Sequence, residues 1–581
     1  MTSRSAPESS SVHHKDPAFL GRCVDQALGR SRADLVIKNT RFLNVVTGEI
    51  AKGDVAVCGD RIVGTYESYD GAEEIDGRDV ICVPGFIDTH VHCESTLVAP
   101  SEFDRCVLPR GTTTAICDPH EMCNVLGRTG LEYFTRSAEG TALDLRVQLS
   151  SCVPATHLET AAASLSAADL LDFRGHPKAL GLAEFMNVPG VLHKDPAVMD
   201  KLAAFQDGVI DGHAPLVSGR DLNAYLACGI RNCHETTSLP EAMEKLRKGM
   251  QLLIREGTVS KDVEALTPAL TPETSSFCAF CTDDRNPLDI FEEGHLDFLI
   301  RRAIAGGAPL AHVYRAATWS AAQGFGLSDR GLIAPGKRAD IVLLNDLETC
   351  DVHSVVSAGR RVTADLLEGR PAVEPVGLDS MKLPPVQAED FAVPANGPGG
   401  PVIGIDPGKI VTEHLTMDLP YRGGLRHPDI DRDVLKVCVL ARHGINRNIG
   451  RGFVRGFGLR SGALASSVGH DSHNVCVVGA SDSDMAVAVN RLRELGGGFV
   501  AARDGKVLGE LALPMAGLMS LKPFESVRAD LVTLRDVVRD MGCGLPEPFL
   551  QLAFLPLPVI PHLKITDMGL VDVDRFELIA A

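Results

Sequence analysis

The feature that most constrains this chain is a rhythm. Between about Val83 and Gly336, short apolar runs with strand character recur, their ends about 20–35 residues apart. They are GFIDTHVH, TTAICDPH, RVQLSSCVP, ALGLAEFM, DGHAP running into APLVSG, IRNCHE, MQLLIREG and FCAFCTDD. Between them, segments such as KLAAFQDG, EAMEKLRKG and HLDFLIRRAIAGG place apolar residues at helical spacing. Eight strand–helix units in roughly 250 residues predict an α/β fold built on a parallel TIM-like (β/α)8 barrel.

The flanks read differently. Residues 1–32 read as a polar tail (its first 17 residues mobile) and a lead-in helix. Residues 33–82 hold short alternating strands separated by TGE, CGD and DG turns, and a similar pattern returns in 337–375. Two β-rich pieces on either side of one insertion predict a single small β-sandwich flanking an 83–336 barrel. The Pro/Gly-rich passage 376–401 reads as a linker, and 402–581 as a C-terminal α/β domain. The triple glycine at 496–498 falls between a helix and a strand and reads as a turn, not a phosphate loop.

Composition excludes several functions. A net charge of −19 argues against a nucleic-acid or anionic-membrane surface. No apolar run approaches the ~18–20 residues of a membrane span, and the polar N-terminus has no signal-peptide core. Sixteen cysteines scattered through apolar runs read as reduced, buried thiols in a cytoplasmic protein. The isolated Cys278-x-x-Cys281 reads as core packing rather than a zinc or redox site.

A barrel presents its reactive groups at the C-terminal ends of its strands. His90 and His92 close the first run; two apart on an extended chain, they face the same side. Glu184 closes the fourth, His213 sits in DGHAP of the fifth, His234 and Glu235 close the sixth, and Asp283 and Asp284 the eighth. Each alone has a bland explanation, such as a loop acid, a turn histidine or a helix cap. Ionisable groups at five strand ends together point to one site. Four imidazoles and two carboxylates can hold two divalent cations if one carboxylate bridges them, and an N/O set without thiolate suits Zn, Mn or Fe. The chemistry this predicts is metal-assisted hydrolysis.

The strings PGFIDTHVHCES, RGTTTAICDPHE, DGHAP, NCHE and CTDDRNP resemble the amidohydrolase superfamily. More narrowly they are similar to the bacterial adenine deaminase family, and the likeness continues through GFGLRSGALASSVGHDSHN and LPMAGLMS. The resemblance implies His90 and His92 as the first metal pair. It implies Glu184 as the bridge, where many relatives use a carboxylated lysine, His213 and His234 on the second ion, and Asp283 as the last-strand ligand. Two divalent ions, Mn or Fe with Zn as the alternative, would activate water for attack on adenine, giving hypoxanthine and ammonia. Asp283 and Glu235 would carry protons, and Asp284 would meet the imidazole edge of the purine.

Three smaller clusters stay open at this stage. Asp118, His120 and Glu121 in CDPHE read either as a helix-capping turn or as substrate contacts and outer support for the metals. His470, Asp471 and His473 read either as a solvated loop or as a lid over the barrel mouth. Arg285 reads as orienting Asp284, with a plain surface arginine as the alternative. The expected partner is a small molecule, with no nucleic acid and no membrane, and a homo-oligomer, a dimer, is expected. Competing readings are a cyclic amidase or deacetylase of the same superfamily, and a scaffold without catalysis.

Overall fold

The structure, a computed structural model, describes residues 16–581. The tail expectation for residues 1–15 lies outside the described residues. Asp16 and Pro17 are not tail: the Asp16 carboxylate accepts the Ala18 amide at 2.9 Å and caps the helix Pro17–Ala27.

The N-terminal strands β1 (Ala33–Leu43), β2 (Ile50–Cys58), β3 (Arg61–Thr65), β4 (Gly71–Asp76) and β5 (Ile81–Pro84) share one eight-stranded sheet with strands that return after the barrel. β1 breaks its register at Asn39, and its parallel partner changes there from β4 to β5. The expected joining of both flanks therefore occurs within one continuous hydrogen-bonded sheet. Its apolar filling includes Leu35, Phe42, Val57, Ile341 and Val356.

The eight paced runs become β6 (Phe86–Val91), β7 (Thr112–Cys117), β8 (Asp144–Leu149), β9 (Ala179–Phe185), β10 (Val209–Gly212), β11 (Asn232–Cys233), β12 (Gln251–Arg255) and β13 (Cys278–Cys281). One run is misplaced in the sequence reading. The fifth strand is VIDG, and APLVSG is loop, because the strand is spent before Pro215. β6 to β10 form one parallel arc and β11 to β13 another. The arcs meet at both seams. The Asp283 amide donates to the His90 carbonyl at 2.9 Å, and the Arg231 amide to the Ile210 carbonyl at 3.0 Å. At the second seam the strands approach so closely that a Cβ on Gly212 would lie 2.2 Å from the Asn232 carbonyl oxygen. Inside, Ile87, Ile116, Leu253 and Ala279 pack on Phe325, so the barrel is filled rather than hollow.

The remaining flank strands, β14 (Ile341–Asp346), β15 (Asp351–Ser357) and β16 (Arg360–Arg361), complete the first sheet. Passage 376–401 is not a free linker. Leu383, Val386 and Phe391 are buried with Val475, Val477 and Leu492, and Gly399–Ile405 is already a strand. This strand belongs to a second eight-stranded sheet, with Asp482–Leu495 and Phe524–Asp540 packed on it. Gly496, Gly497 and Gly498 all have positive φ and form the expected turn. Cys278 and Cys281 face opposite sides of β13, into separate apolar clusters, so they cannot share a metal. All sixteen cysteines are unpaired. Among the described residues no helix is long and apolar enough to cross a membrane.

Candidate metal centre and catalytic cavity

Each residue at the mouth owes its position to a strand end. His90 lies in β6 and His92 just past it, and their Nε2 atoms meet at 3.1 Å. Glu184 stands in β9 between two groups of imidazoles. Its Oε1 lies 3.4 Å from His90 Nε2 and 3.3 Å from His92 Nε2. Its Oε2 lies 2.6 Å from His213 Nδ1 and 3.3 Å from His234 Nε2. One carboxylate thus turns one oxygen to each half of the set. β11 ends at Cys233, so His234 and Glu235 are already in the loop and both reach the cavity.

Asp283 adopts a left-handed backbone (φ 54°), and both it and Asp284 line the cavity. The two acids differ in partners. Asp283 Oδ1 lies 3.2 Å from His92 Nε2, whereas Asp284 Oδ1 accepts a hydrogen bond from Ser95 Oγ. Arg285 does not orient Asp284. Its guanidinium is fully buried and donates to the Gly294 and Glu256 carbonyls and to Glu293.

The donor set fits divalent cations on an observation internal to the site. His92 Nδ1 donates to the Asp118 carbonyl at 3.0 Å, and His90 Nδ1 to Asp211 Oδ2 at 3.2 Å. Both Nδ1 atoms therefore carry the proton, and the two Nε2 lone pairs face each other across 3.1 Å. Two lone pairs this close call for positive charge between them, which a proton or a divalent cation can supply. Burial opposes charge on His90, yet the Glu184 and Asp211 carboxylates outweigh it and raise the imidazole to about 10. His213 Nε2 and His234 Nδ1 are buried without a hydrogen-bond partner.

Arg255, the last residue of β12, is the group the sequence reading missed. Buried to 2% exposure, it grips Glu235 with two nitrogens and donates to Asp283 Oδ2 at 2.8 Å and Asp262 Oδ2 at 3.2 Å. Burial alone would raise the Asp283 carboxyl; the His92 hydrogen bond and the Arg255 charge hold it well below the carboxylate range. Burial would also raise Glu235, and the same guanidinium keeps it low. The signal was present: an arginine closes MQLLIREG at the same paced position as the other groups.

A cavity opens on this cluster. Its apolar wall is Met186, Val259, Ile410, Phe554 and Leu557. Asp118 does not line it. Its carboxylate is taken by Ser150 Oγ at 2.7 Å and His120 Nδ1 at 2.9 Å, and no side-chain cap is made to the helix His120–Leu126. Glu121 does line the cavity, but its oxygens face His470 and His473. His470 and Asp471 are a buried part of the wall rather than a solvated loop, and His473 stands behind them.

The comparisons with known proteins agree with this geometry. Residues 81–362 match the amidohydrolase family, and residues 409–577 match the adenine deaminase C-terminal domain. The chain is 64% identical to an adenine deaminase of Gluconobacter oxydans, over 95% of this chain and 98% of that one. It is 61% identical to adenine deaminase 1 of Rhizobium meliloti, over 96% and 99%, and 59% identical to an adenine deaminase of Brucella anthropi, over 97% and 100%. A resident divalent cation is implied by this kinship together with the His, Asp and Glu groups that converge at the mouth. A barrel mouth bearing these imidazoles, under a C-terminal unit of this kind, places the chain in the adenine deaminase family of the amidohydrolases.

Proposed function

We propose that this chain hydrolyses adenine to hypoxanthine and ammonia, using two divalent cations, manganese or iron with zinc as the alternative. The ligands would be His90, His92, Glu184 and Asp283 on one side and Glu184, His213 and His234 on the other. The observation that carries this reading is the division of the Glu184 carboxylate, Oε1 towards the first pair of imidazoles and Oε2 towards the second. When bound there, the cations supply Lewis acidity that lowers the pKa of water from about 15.7 toward ~7, making it nucleophilic at neutral pH.

The protein's own groups handle the protons. Attack at C6 consumes one water, whose two protons end on N1 and on the departing nitrogen. Asp283 takes the first proton and passes it to the 6-amino group, so that neutral ammonia leaves. Glu235 delivers the second to N1. Because Arg255 keeps Glu235 ionised in the free protein, the proton that Glu235 delivers must come from the attacking water during turnover. Arg255 also touches Asp283, so one guanidinium holds both proton carriers beside the same water. Asp284, steadied by Ser95, faces the imidazole edge of the purine near N7.

Glu235→Gln tests the shuttle. The variant keeps its metal content and loses about 10²–10⁴-fold in kcat; near-normal turnover would refute the role. Ammonia release from adenine, compared with a panel of hydantoins and acetylated sugars, tests the substrate class. Turnover of the panel without turnover of adenine would overturn the proposal.

A further inference from the structure

The mouth of the barrel carries a second convergence of ligand atoms that the proposed mechanism does not use. His120 begins the helix after β7, with Glu121 next to it; His470 and Asp471 come from the C-terminal unit. All four are buried. His120 Nε2 lies 3.4 Å from Glu121 Oε1 and 3.7 Å from Asp471 Oδ1. His470 Nδ1 lies 2.7 Å from Glu121 Oε1 and 3.8 Å from Asp471 Oδ1. Four donors around an ion at bond lengths of about 2.0–2.2 Å would have edges near 3.4 Å, and these four separations bracket that length.

The groups behind the four atoms aim them inward. Asp118 Oδ2 holds His120 Nδ1 at 2.9 Å, which fixes that proton and turns the Nε2 lone pair to the centre. His473 Nδ1 accepts the Gly469 amide at 3.2 Å, so its Nε2 carries the proton and donates to Glu121 Oε2, leaving Oε1 for the centre. Phe554 stacks on His470 with ring centroids 4.5 Å apart and locks the imidazole plane. Despite the short approach of His470, Glu121 Oε1 has no hydrogen bond among the described residues. Carboxylate oxygens this deeply buried are ordinarily satisfied.

We propose that His120 Nε2, Glu121 Oε1, His470 Nδ1 and Asp471 Oδ1 bind a further divalent cation of the Mn, Fe or Zn class, separate from the ions proposed for the Glu184 cluster. Two neutral imidazoles and two carboxylates balance a charge of +2 and suit these metals by donor type. The site takes two ligands from the barrel and two from the C-terminal unit. Its ion therefore fastens the roof of the cavity to the mouth, and its occupancy does not depend on whether adenine is the substrate.

Saturating the full-length protein with Mn²⁺, followed by dialysis and metal analysis, tests this. The readout is the difference between wild type and two variants, His470→Ala and the near-isosteric Asp471→Asn. One equivalent fewer in each variant is expected, whatever the count at the Glu184 cluster. Crystals of the wild type soaked in Mn²⁺ should show an anomalous peak between the four atoms, a result that needs no variant to fold. Equal metal content in wild type and variants, or no anomalous peak at the quartet while the Glu184 cluster is filled, would show that protonated imidazoles alone neutralise the carboxylates, and would overturn the proposal.

Discussion

The two ends of the barrel bury charge in opposite ways. At the bottom, Asp144 opens β8 and is enclosed by cations: Lys178 Nζ at 2.7 Å, Arg330 at 2.6 Å and Arg146 at 2.8 Å. Every nearby charge has a partner and nothing is left over for a ligand. At the mouth, Glu184 sits beside His90 and His92, whose Nδ1 atoms are committed to Asp211 and the Asp118 carbonyl, leaving Nε2 atoms that face one another. The two acids are equally buried, Asp144 and Glu184 alike. What separates a structural charge cluster from a binding one is whether its valences close within the protein. The bottom is closed; the mouth leaves room for a cation, which matches the division between stability and chemistry in barrels of this kind.

Paired substitutions can break that contrast. If Glu184 is the shared ligand proposed above, Glu184→Gln should lower kcat/KM by on the order of 10³-fold or more and reduce metal content. Its unfolding midpoint with chelator present should stay near that of the wild type. Asp144→Asn should do the reverse. Removing the acid leaves the buried Arg330, with the part-exposed Lys178 and Arg146 beside it, without its carboxylate; breaking such a buried pair costs about 3–5 kcal/mol, while activity per folded molecule persists. Urea melts and metal-saturated kinetics on both variants decide the matter. If Asp144→Asn lost activity without stability, the division between the ends would fail.

The sequence showed the mouth better than it showed the connections. Strand pacing located all eight strands, because parallel strands buried on both faces read as continuous apolar runs, and only APLVSG was misplaced. His90, His92, Glu184, His213, His234 and Asp283 were legible because each ionisable side chain interrupts or ends such a run. What pairs with what was not legible. Asp118 read as a cap, a substrate contact or outer support for the metals; choosing among these needed Ser150, some thirty residues further along, which takes its carboxylate, and His92, which its carbonyl holds. Arg285 beside Asp284 suggested a partnership, yet the neighbour in sequence turned away and Ser95 took its place. The Pro/Gly passage 376–401 looked like a linker because proline and glycine report local chain stiffness, and its buried Leu383, Val386 and Phe391 report tertiary packing instead.

Arg255 sharpens the comparison, since it brings the bottom's device to the mouth: a cation closing the valences of carboxylates. Here it clamps Glu235 and Asp283 while the opposite oxygen of Asp283 stays directed at His92. Arg255→Met should leave two acids repelling each other beside the metal ligands, and activity or metal affinity should fall by about 10–100-fold, as for other outer partners of a metal site. The loss should be smaller than for Glu184→Gln because no ligand is removed. Metal titrations at fixed pH measure it, and unchanged affinity together with unchanged kcat would show that Arg255 only fills space.

The smallest effect concerns acid. Burial would raise the Asp144 carboxyl, but Lys178, Arg330 and Arg146 hold it well below the usual range. Above a pH of about 4 the acid is ionised in both folded and unfolded chains, and its stabilisation is fully present. Below that, the unfolded chain takes up a proton that folded Asp144 refuses, so stability falls as pH falls towards the folded pKa. One such proton is worth about 1.4 kcal/mol per pH unit. The gap in unfolding free energy between wild type and Asp144→Asn should therefore narrow between about pH 4 and pH 3, because the variant has no carboxylate to protonate at that position. Two urea-melt series that stayed parallel over this interval would mean that the three cations do not act through charge on Asp144, and the closed end of the barrel would owe its stability to packing.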